Sequence, residues 1–249
     1  MGVVSVSLLR SSVFWTVDDL QQAAGRPAFA VLTQNAGPLQ LKDGVASRRG
    51  FEEDLSALHE FITHLPAEFS TPCMMFTSTL PREGSSTIVA AFAAALARAG
   101  SKVLVIDGNL HHPSMHEAFG INARVGLTHV LEQHATLQQA VQTVADLPSL
   151  HILSAGPVPP DPFALLLSSD LRGLLQSATD RYDYVLIDSP PAGRFPDAFY
   201  LASLSNVVFV IAKYGIVQRQ PTARLLRKIS TPDLLTSGFI VNGALGVSE

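Results

Sequence analysis

The segment that is most informative about the fold is Phe76-Thr77-Ser78-Thr79-Leu80-Pro81-Arg82-Glu83-Gly84-Ser85-Ser86-Thr87. A short apolar run over 73–76 precedes it, and an alanine-rich run over 88–99 follows it. A strand, a tight loop and the start of a helix, in that order, are typical of a phosphate-binding loop. The usual pattern contains Gly, four residues and then Gly-Lys-Ser/Thr, but here Ser85 occupies the lysine position and Thr79 the first glycine position. The segment therefore predicts the layout of a phosphate-binding loop without its usual cation.

Composition restricts the class of protein. The 249 residues, 47% of them hydrophobic, suffice for one large α/β domain or two small ones. The net charge of −4 and the pI near 6.0 give no reason to expect a nucleic-acid partner. Cys73 is the only cysteine, which fits a reducing compartment. The sequence contains no apolar stretch of membrane-spanning length and no clear signal peptide, so we expect a cytoplasmic protein.

Apolar runs alternate with helical patterns along the chain. Strands are predicted over 28–32, 73–77, 103–107, 150–153, 184–188, 207–211 and 238–242. Helices are predicted over 51–64, 86–99, 125–133, 137–144, 162–180, 195–204 and 220–229, and a loop over 34–49. Strands joined by single helices imply a doubly wound, mainly parallel α/β sheet. We expect residues 1–25 to form a tail or docking segment and residues 26–249 to form one domain.

Three predicted strand ends carry residues that suit a magnesium–phosphate site. One strand enters the loop at 78–87, and two others end at Asp107 and Asp188. Ligands of parallel α/β sheets bind at the carboxyl ends of the strands. Backbone amides at a helix start suit phosphates, while the hydroxyl of Ser86 and the two carboxylates suit Mg²⁺. A single aspartate at a strand end is more often structural, so the combination carries this prediction.

Several segments, in the same order along the chain, resemble motifs of the bacterial tyrosine kinases associated with capsule and exopolysaccharide chain-length regulators. Residues 77–87 resemble the Walker A loop of that family, Thr-Ser-x-x-Pro-Gly-Glu-Gly-Lys-Ser-Thr. Residues 103–113 resemble its second motif, Asp-x-Asp-Leu-Arg-Arg-Pro, and residues 182–191 resemble its Walker B strand. Shorter counterparts lie at 159–170, 196–198 and 241–243. The resemblance covers about residues 50–249 and extends to septum-site and plasmid-partition ATPases.

The resemblance implies a P-loop NTPase-like fold that binds ATP or ADP with Mg²⁺. It places the nucleotide at Pro81, Arg82, Glu83, Gly84, Ser85, Ser86, Thr87 and Asn242. It places the metal at Ser86, Asp107 and Asp188, with the two aspartates as catalytic residues if the domain is active. It also implies a role in capsule or exopolysaccharide synthesis and export, beside a membrane chain-length determinant (a polysaccharide co-polymerase), and assembly into a homo-oligomer.

Departures from the family pattern fall where the chemistry is expected. Ser85 replaces the lysine, Arg82 a loop glycine and Asn109 the second carboxylate of the middle motif, and two histidines replace its arginines. The oligomer-contact motif reads Glu-x-x-Ser-x-x-His over 53–59, without its arginines, and the C-terminal tyrosine cluster has no counterpart in 244–249. Loss of one electrostatic group costs on the order of 3–4 kcal/mol in a transition state. An arginine at position 82 is also expected to exclude a positive φ there.

Three functional readings remain open from the sequence. The first is a pseudokinase-like regulator that binds nucleotide weakly. The second is an active ATPase or kinase in which Arg82 replaces the lysine. The third is an interaction module without nucleotide. A zinc site is not expected at His111, His112 and His116, because their spacing matches no closed zinc motif.

Overall fold

The computed structural model describes residues 18, 21–22, 28–33, 41–42, 45–46, 49–63, 72–168, 170–229 and 236–244. Apart from Asp18, Gln21 and Gln22, which are helical, the predicted segment 1–25 lies outside the described residues. Its separation as a tail or docking segment stays a prediction.

After those three helical residues, the described chain contains the following strands and helices. The strands are β1 Ala28–Thr33, β2 Leu41–Lys42, β3 Val45–Ala46, β4 Cys73–Ser78, β5 Val103–Asp107, β6 Gln142–Val144, β7 Leu147–Leu153, β8 Tyr184–Asp188, β9 Val207–Lys213 and β10 Thr236–Ala244. The helices are α1 Arg49–Thr63, α2 Ser85–Arg98, α3 Met115–Phe119, α4 Leu127–Leu131, α5 Leu137–Ala140, α6 Pro162–Ser168, α7 Leu171–Thr179, α8 Asp197–Ser203 and α9 Arg219–Ile229.

One eight-stranded sheet organises the described part of the chain, in the order β1-β10-β9-β4-β8-β5-β7-β6. Every neighbouring pair in it is parallel except β6–β7. The order places β8 between β4 and β5, so the phosphate-loop strand and the two aspartate strands lie side by side. The predicted doubly wound, mainly parallel α/β fold is confirmed.

The sheet has a buried core on each face. Successive residues of β5 alternate between these cores: Val103 and Val105 join one, and Leu104 and Ile106 join the other. Helices α1, α2 and α3 contribute to the first core, and α4 to α9 contribute to the second. Both faces are therefore covered, which explains why the central strands read as continuous apolar runs.

Some predicted elements differ from the structure. The single helix over 162–180 is wrong, because it divides into α6 and α7; the Asp170 carboxylate caps α7 by accepting a hydrogen bond from the Gly173 amide at 2.9 Å. The helix over 137–144 is wrong in its second half, where Gln142–Val144 pairs antiparallel with β7. The loop predicted over 34–49 contains the β2–β3 pair, and α3 was not predicted. Among the described helices, none is long and apolar enough to cross a membrane.

Removal of the Phe76 ring is expected to destabilise the sheet strongly. This ring is fully buried, with its centroid 4.9 Å from that of Phe209 and 6.1 Å from that of Phe92. Phe76→Ala should lower the free energy of unfolding by about 3–5 kcal/mol, because the cavity left behind collapses only in part. Urea denaturation measures the change, with Val158→Ala, at a site that is 58% exposed, as the control. A loss below about 1 kcal/mol would contradict this packing.

Candidate functional site

The loop between β4 and α2 is closed by its own glutamate. The buried Glu83 carboxylate accepts hydrogen bonds from the amides of Thr79 and Leu80, both at 2.8 Å. From β10, the Asn242 side-chain amide donates to the Glu83 carbonyl at 2.8 Å. Gly84 follows with φ 95° and precedes the first turn of α2, and a Cβ at this glycine would collide with the Asn242 amide. The loop is therefore fixed by hydrogen bonds and by a glycine that no other residue can replace without strain.

Arg82 adopts a backbone conformation that L-residues rarely adopt. Its φ is 69°, in the left-handed region. The expectation that arginine would exclude a positive φ here is wrong. The left-handed conformation of this L-residue costs about 1–2 kcal/mol, which the rest of the fold offsets. The Arg82 side chain is exposed and lines the cavity described below.

Two buried aspartates lie together at the sheet edge. Asp107 and Asp188 are paired in register across β5 and β8, and both side chains are completely buried. The Ser86 hydroxyl donates to Asp188 at 2.6 Å and the Ser85 hydroxyl donates to it at 3.4 Å. Burial, together with the charge of Asp107, holds the pKa of Asp188 well above its usual range, and burial also raises the pKa of Asp107.

Backbone amides stabilise the other aspartate. The Asp107 carboxylate accepts hydrogen bonds from the amides of Ser114, Met115 and Asn109, at 2.9, 3.0 and 3.3 Å. The Asn109 side chain accepts from the His112 amide at 3.1 Å, which makes a compact turn after β5. The turn and the start of α3 are thus organised around one buried carboxylate.

A cavity of about 490 Å³ opens between the loop and these strand ends. This size falls within the usual range of small-molecule and cofactor sites. Its lining residues are Ser78, Pro81, Arg82, Glu83, Gly84, Ser85, Ser86, Thr87, Asn109, His112, Ser114, Ser189, Pro191, Arg194 and Phe195. All the predicted loop residues line it. Asn242, Asp107 and Asp188 are not among its lining residues. Asn242 holds the loop through its hydrogen bond to the Glu83 carbonyl, and Asp188 accepts hydrogen bonds from the lining Ser85 and Ser86.

The residues present fit a magnesium-nucleotide. The start of α2 has no side-chain cap, so its first amides lie open to an anion. Two buried carboxylates have pKa values that burial raises, and a divalent cation would favour their charged forms. Ser86, Asp107 and Asp188 would hold the metal, with the remaining positions left to water and phosphate. No cluster of three or more His, Cys, Asp or Glu suited to a metal occurs in the described ranges.

The loop after β8 brings to the cavity two residues that the sequence motifs did not predict. Arg194 and Phe195 line the same cavity. The His111 ring stacks on Phe195, with centroids 3.9 Å apart, and its Nε2 lies 2.9 Å from the Asp197 carboxylate, which is buried. A usable signal was present, because an arginine six residues after a strand-end aspartate lies at the same edge of the sheet.

Relief of the strained turn provides a test of the loop geometry. Arg82→Gly should raise the free energy of unfolding by about 0.5–1 kcal/mol, because glycine adopts a positive φ without the Cβ penalty. Arg82→Ala removes the same side chain but keeps the Cβ, so it should give no such gain. Equal urea midpoints for the two variants would contradict the assigned backbone conformation.

Glu83 is expected to make stability depend on pH. Burial raises the pKa of Glu83 from 4.5 to about 7, although the Leu80 and Thr79 amides and Lys213 oppose this. Between these two values the folded state keeps a proton that the unfolded chain has released, so the free energy of unfolding falls as pH rises. The wild type should lose about 2–3 kcal/mol more than Glu83→Gln from pH 4.5 to 8. Urea denaturation across this range measures it, with the exposed Glu117→Gln as the control; parallel profiles for wild type and Glu83→Gln would refute it.

Known proteins match more than half of this chain in sequence. Residues 83–231, more than half of the chain, match the family described as an AAA domain. Tyrosine-protein kinase YwqD of Bacillus subtilis is 35% identical over 170 residues, which are 68% of this chain and 71% of YwqD. Tyrosine-protein kinase Etk of Escherichia coli is 26% identical over 193 residues, which are 78% of this chain but 26% of Etk. The chain thus spans about a quarter of the length of that second relative.

Solved structures share the fold. The kinase domain of Escherichia coli Etk has a TM-score of 0.84 at 23% identity, covering 93% of this chain and 94% of that one. The chimerical protein CapA2B2 has a TM-score of 0.80 at 25% identity, covering 93% of this chain and 100% of that one. The septum site-determining protein MinD of Pyrococcus horikoshii, solved with Mg-ADP, has a TM-score of 0.56 at 24% identity, covering 69% and 70%. On the family match and the likeness to YwqD, the chain belongs to the bacterial tyrosine-protein kinases built on an AAA domain.

Proposed function

We propose that this chain binds a magnesium-nucleotide but transfers phosphate poorly, and that it acts as a regulator of a membrane chain-length determinant. The family membership supports the choice of process, which is capsule or exopolysaccharide synthesis and export. By the same resemblance, the chain works in the cytoplasm, peripheral to the inner membrane through that polysaccharide co-polymerase. The cavity lined by the loop residues 81–87 supports the proposal that the chain binds a nucleotide.

The identity and contacts of Ser85 carry this proposal. Its side chain is buried at the cavity and donates a hydrogen bond to Asp188, where the family pattern has a lysine. A hydroxyl supplies no net charge to phosphate oxygens, and electrostatic stabilisation is the main protein contribution to phosphoryl transfer. The backbone cradle and the metal ligands are kept, so binding is expected to survive better than transfer. Asn109 adds to the loss, because an amide cannot act as a base.

Nucleotide binding and kinase activity of the purified protein test the proposal together. Calorimetry should detect Mg-ATP and Mg-ADP, and Asp188→Asn should weaken both because it removes a metal ligand. Tyrosine autophosphorylation should be absent or very slow. Ser85→Lys should tighten Mg-ATP binding about 10-fold or more, since a charge-assisted hydrogen bond contributes about 1.5–3 kcal/mol; Ser85→Thr is the matched control without charge.

Each alternative predicts a different outcome of the same measurements. Robust tyrosine autophosphorylation by the wild type would overturn the regulator reading. ATP turnover abolished by both Asp188→Asn and Arg82→Ala would favour the active-ATPase reading, which the position of Arg82 on the cavity wall supports. Absence of binding at millimolar ligand would favour an interaction module without nucleotide. For the process, a deletion strain whose polysaccharide keeps its yield and chain length would contradict the assigned role.

A further inference from the structure

We propose that Arg194 supplies the cation that the loop lacks at Ser85, by binding the terminal phosphate of a nucleoside triphosphate in the cavity. This inference rests on the proposed function, since it needs a nucleotide in the site. It assigns a specificity-determining role to a residue that follows the Walker B strand rather than to one in the loop.

The backbone before Arg194 is attached to the phosphate loop and its strand. The Ser189 amide donates to the Phe76 carbonyl at 3.0 Å, and the Ala192 amide donates to the Ser78 carbonyl at 2.9 Å. Gly193 lies so close to the Thr79 carbonyl that a Cβ would collide with it. The position of the Arg194 Cα is thus fixed relative to the loop, so the reach of its side chain is set by the fold.

The backbone after Arg194 is fixed as well. The amides of Arg194 and Phe195 both donate to the Pro191 carbonyl, at 2.9 and 3.1 Å, and close a tight turn. The Phe195 ring is held by its stacking on His111, which in turn contacts the buried carboxylate of Asp197. The Arg194 side chain itself is exposed and borders the same cavity as Ser85.

The charges around the cavity favour this role. Two arginines line it, Arg82 and Arg194, while its lining carboxylate, Glu83, is committed to the loop amides. Arg194 belongs to the loop that follows β8, whose last residue is Asp188, one of the carboxylates proposed to hold the metal. The terminal phosphates share their metal with those carboxylates in phosphoryl-transfer sites. A guanidinium there binds phosphate oxygens in a bidentate manner and keeps its charge at every relevant pH.

A second cavity strengthens the assignment of Arg194 over Arg82. Arg194 and Phe195 also line an adjoining cavity of about 420 Å³, together with the basic side chains of Arg224 and Lys228. Arg82 lines the first cavity but not the second. Arg194 therefore stands at the junction of the two, with further positive charge behind it that favours an anion on this side of the site.

Calorimetry with Mg-ATP and Mg-ADP in a double-mutant cycle tests the inference. Arg194→Ala should weaken Mg-ATP binding about 10-fold or more but Mg-ADP binding less than about 3-fold, because only the triphosphate carries the terminal group. In the Ser85→Lys background the same change should cost less than about 3-fold for Mg-ATP, since the lysine already provides the charge. Arg172→Ala removes an exposed arginine that borders neither cavity and should leave both affinities unchanged. Arg194→Gln, which keeps a long polar side chain, should lose the ATP preference as Arg194→Ala does.

The possible results separate the two proposals. If the wild type binds neither nucleotide, the proposed function and this inference both fail. If the wild type binds but Arg194→Ala changes neither affinity, or lowers both equally, the inference alone is overturned. The same holds if Arg82→Ala, and not Arg194→Ala, abolishes the preference for Mg-ATP. Melting temperatures within a few degrees of the wild type establish that each variant is folded.

Discussion

Two carboxylates buried side by side constrain everything around them. The parallel register of β5 and β8 places Asp107 directly beside Asp188, and neither is accessible to solvent. Charges in such a place must be neutralised or hydrogen bonded. Asp107 is met by three amides from the turn into α3, and Asp188 by two hydroxyls from the first turn of α2. The starts of both helices are thus positioned by the requirements of one pair of acids.

The phosphate loop depends on the loop after β8 as much as on its own sequence. The Thr77 hydroxyl donates to the Pro190 carbonyl at 3.0 Å, and the Ala192 amide donates to the Ser78 carbonyl. On the far side, the Thr79 and Thr222 hydroxyls lie 3.0 Å apart in the interior and connect the loop to α9. These contacts bring together residues far apart in the chain, so the conformation of the loop depends on the fold around it.

The sequence predicted the sheet well because its central strands are buried on both faces, which leaves a plain apolar signal. It also predicted that the loop, Asp107 and Asp188 would meet, since parallel strands end at one edge. It failed where a local hydrogen bond interrupts an apolar helical pattern. At Asp170, the side chain caps a new helix within the segment that was predicted as one helix. It failed too where the contacts come from distant residues: the Asn242 side chain donates to the Glu83 carbonyl across 159 residues, and Arg82, next to Glu83, has a positive φ that its residue type does not suggest.

The same contacts explain how the loop can lose its charge and keep its shape. Glu83, Gly84 and Asn242 act on one another, so a change in any of them disturbs the backbone and its packing. The side chain at position 85 is not required for these contacts. A serine there donates to Asp188, and α2 still begins at this residue. What the substitution removes is a positive charge beside two acids, whose pKa values are raised mainly by burial and, for Asp188, also by the charge of Asp107. Binding geometry and catalytic charge are therefore separable in this fold, because the first is part of its stability and the second is not.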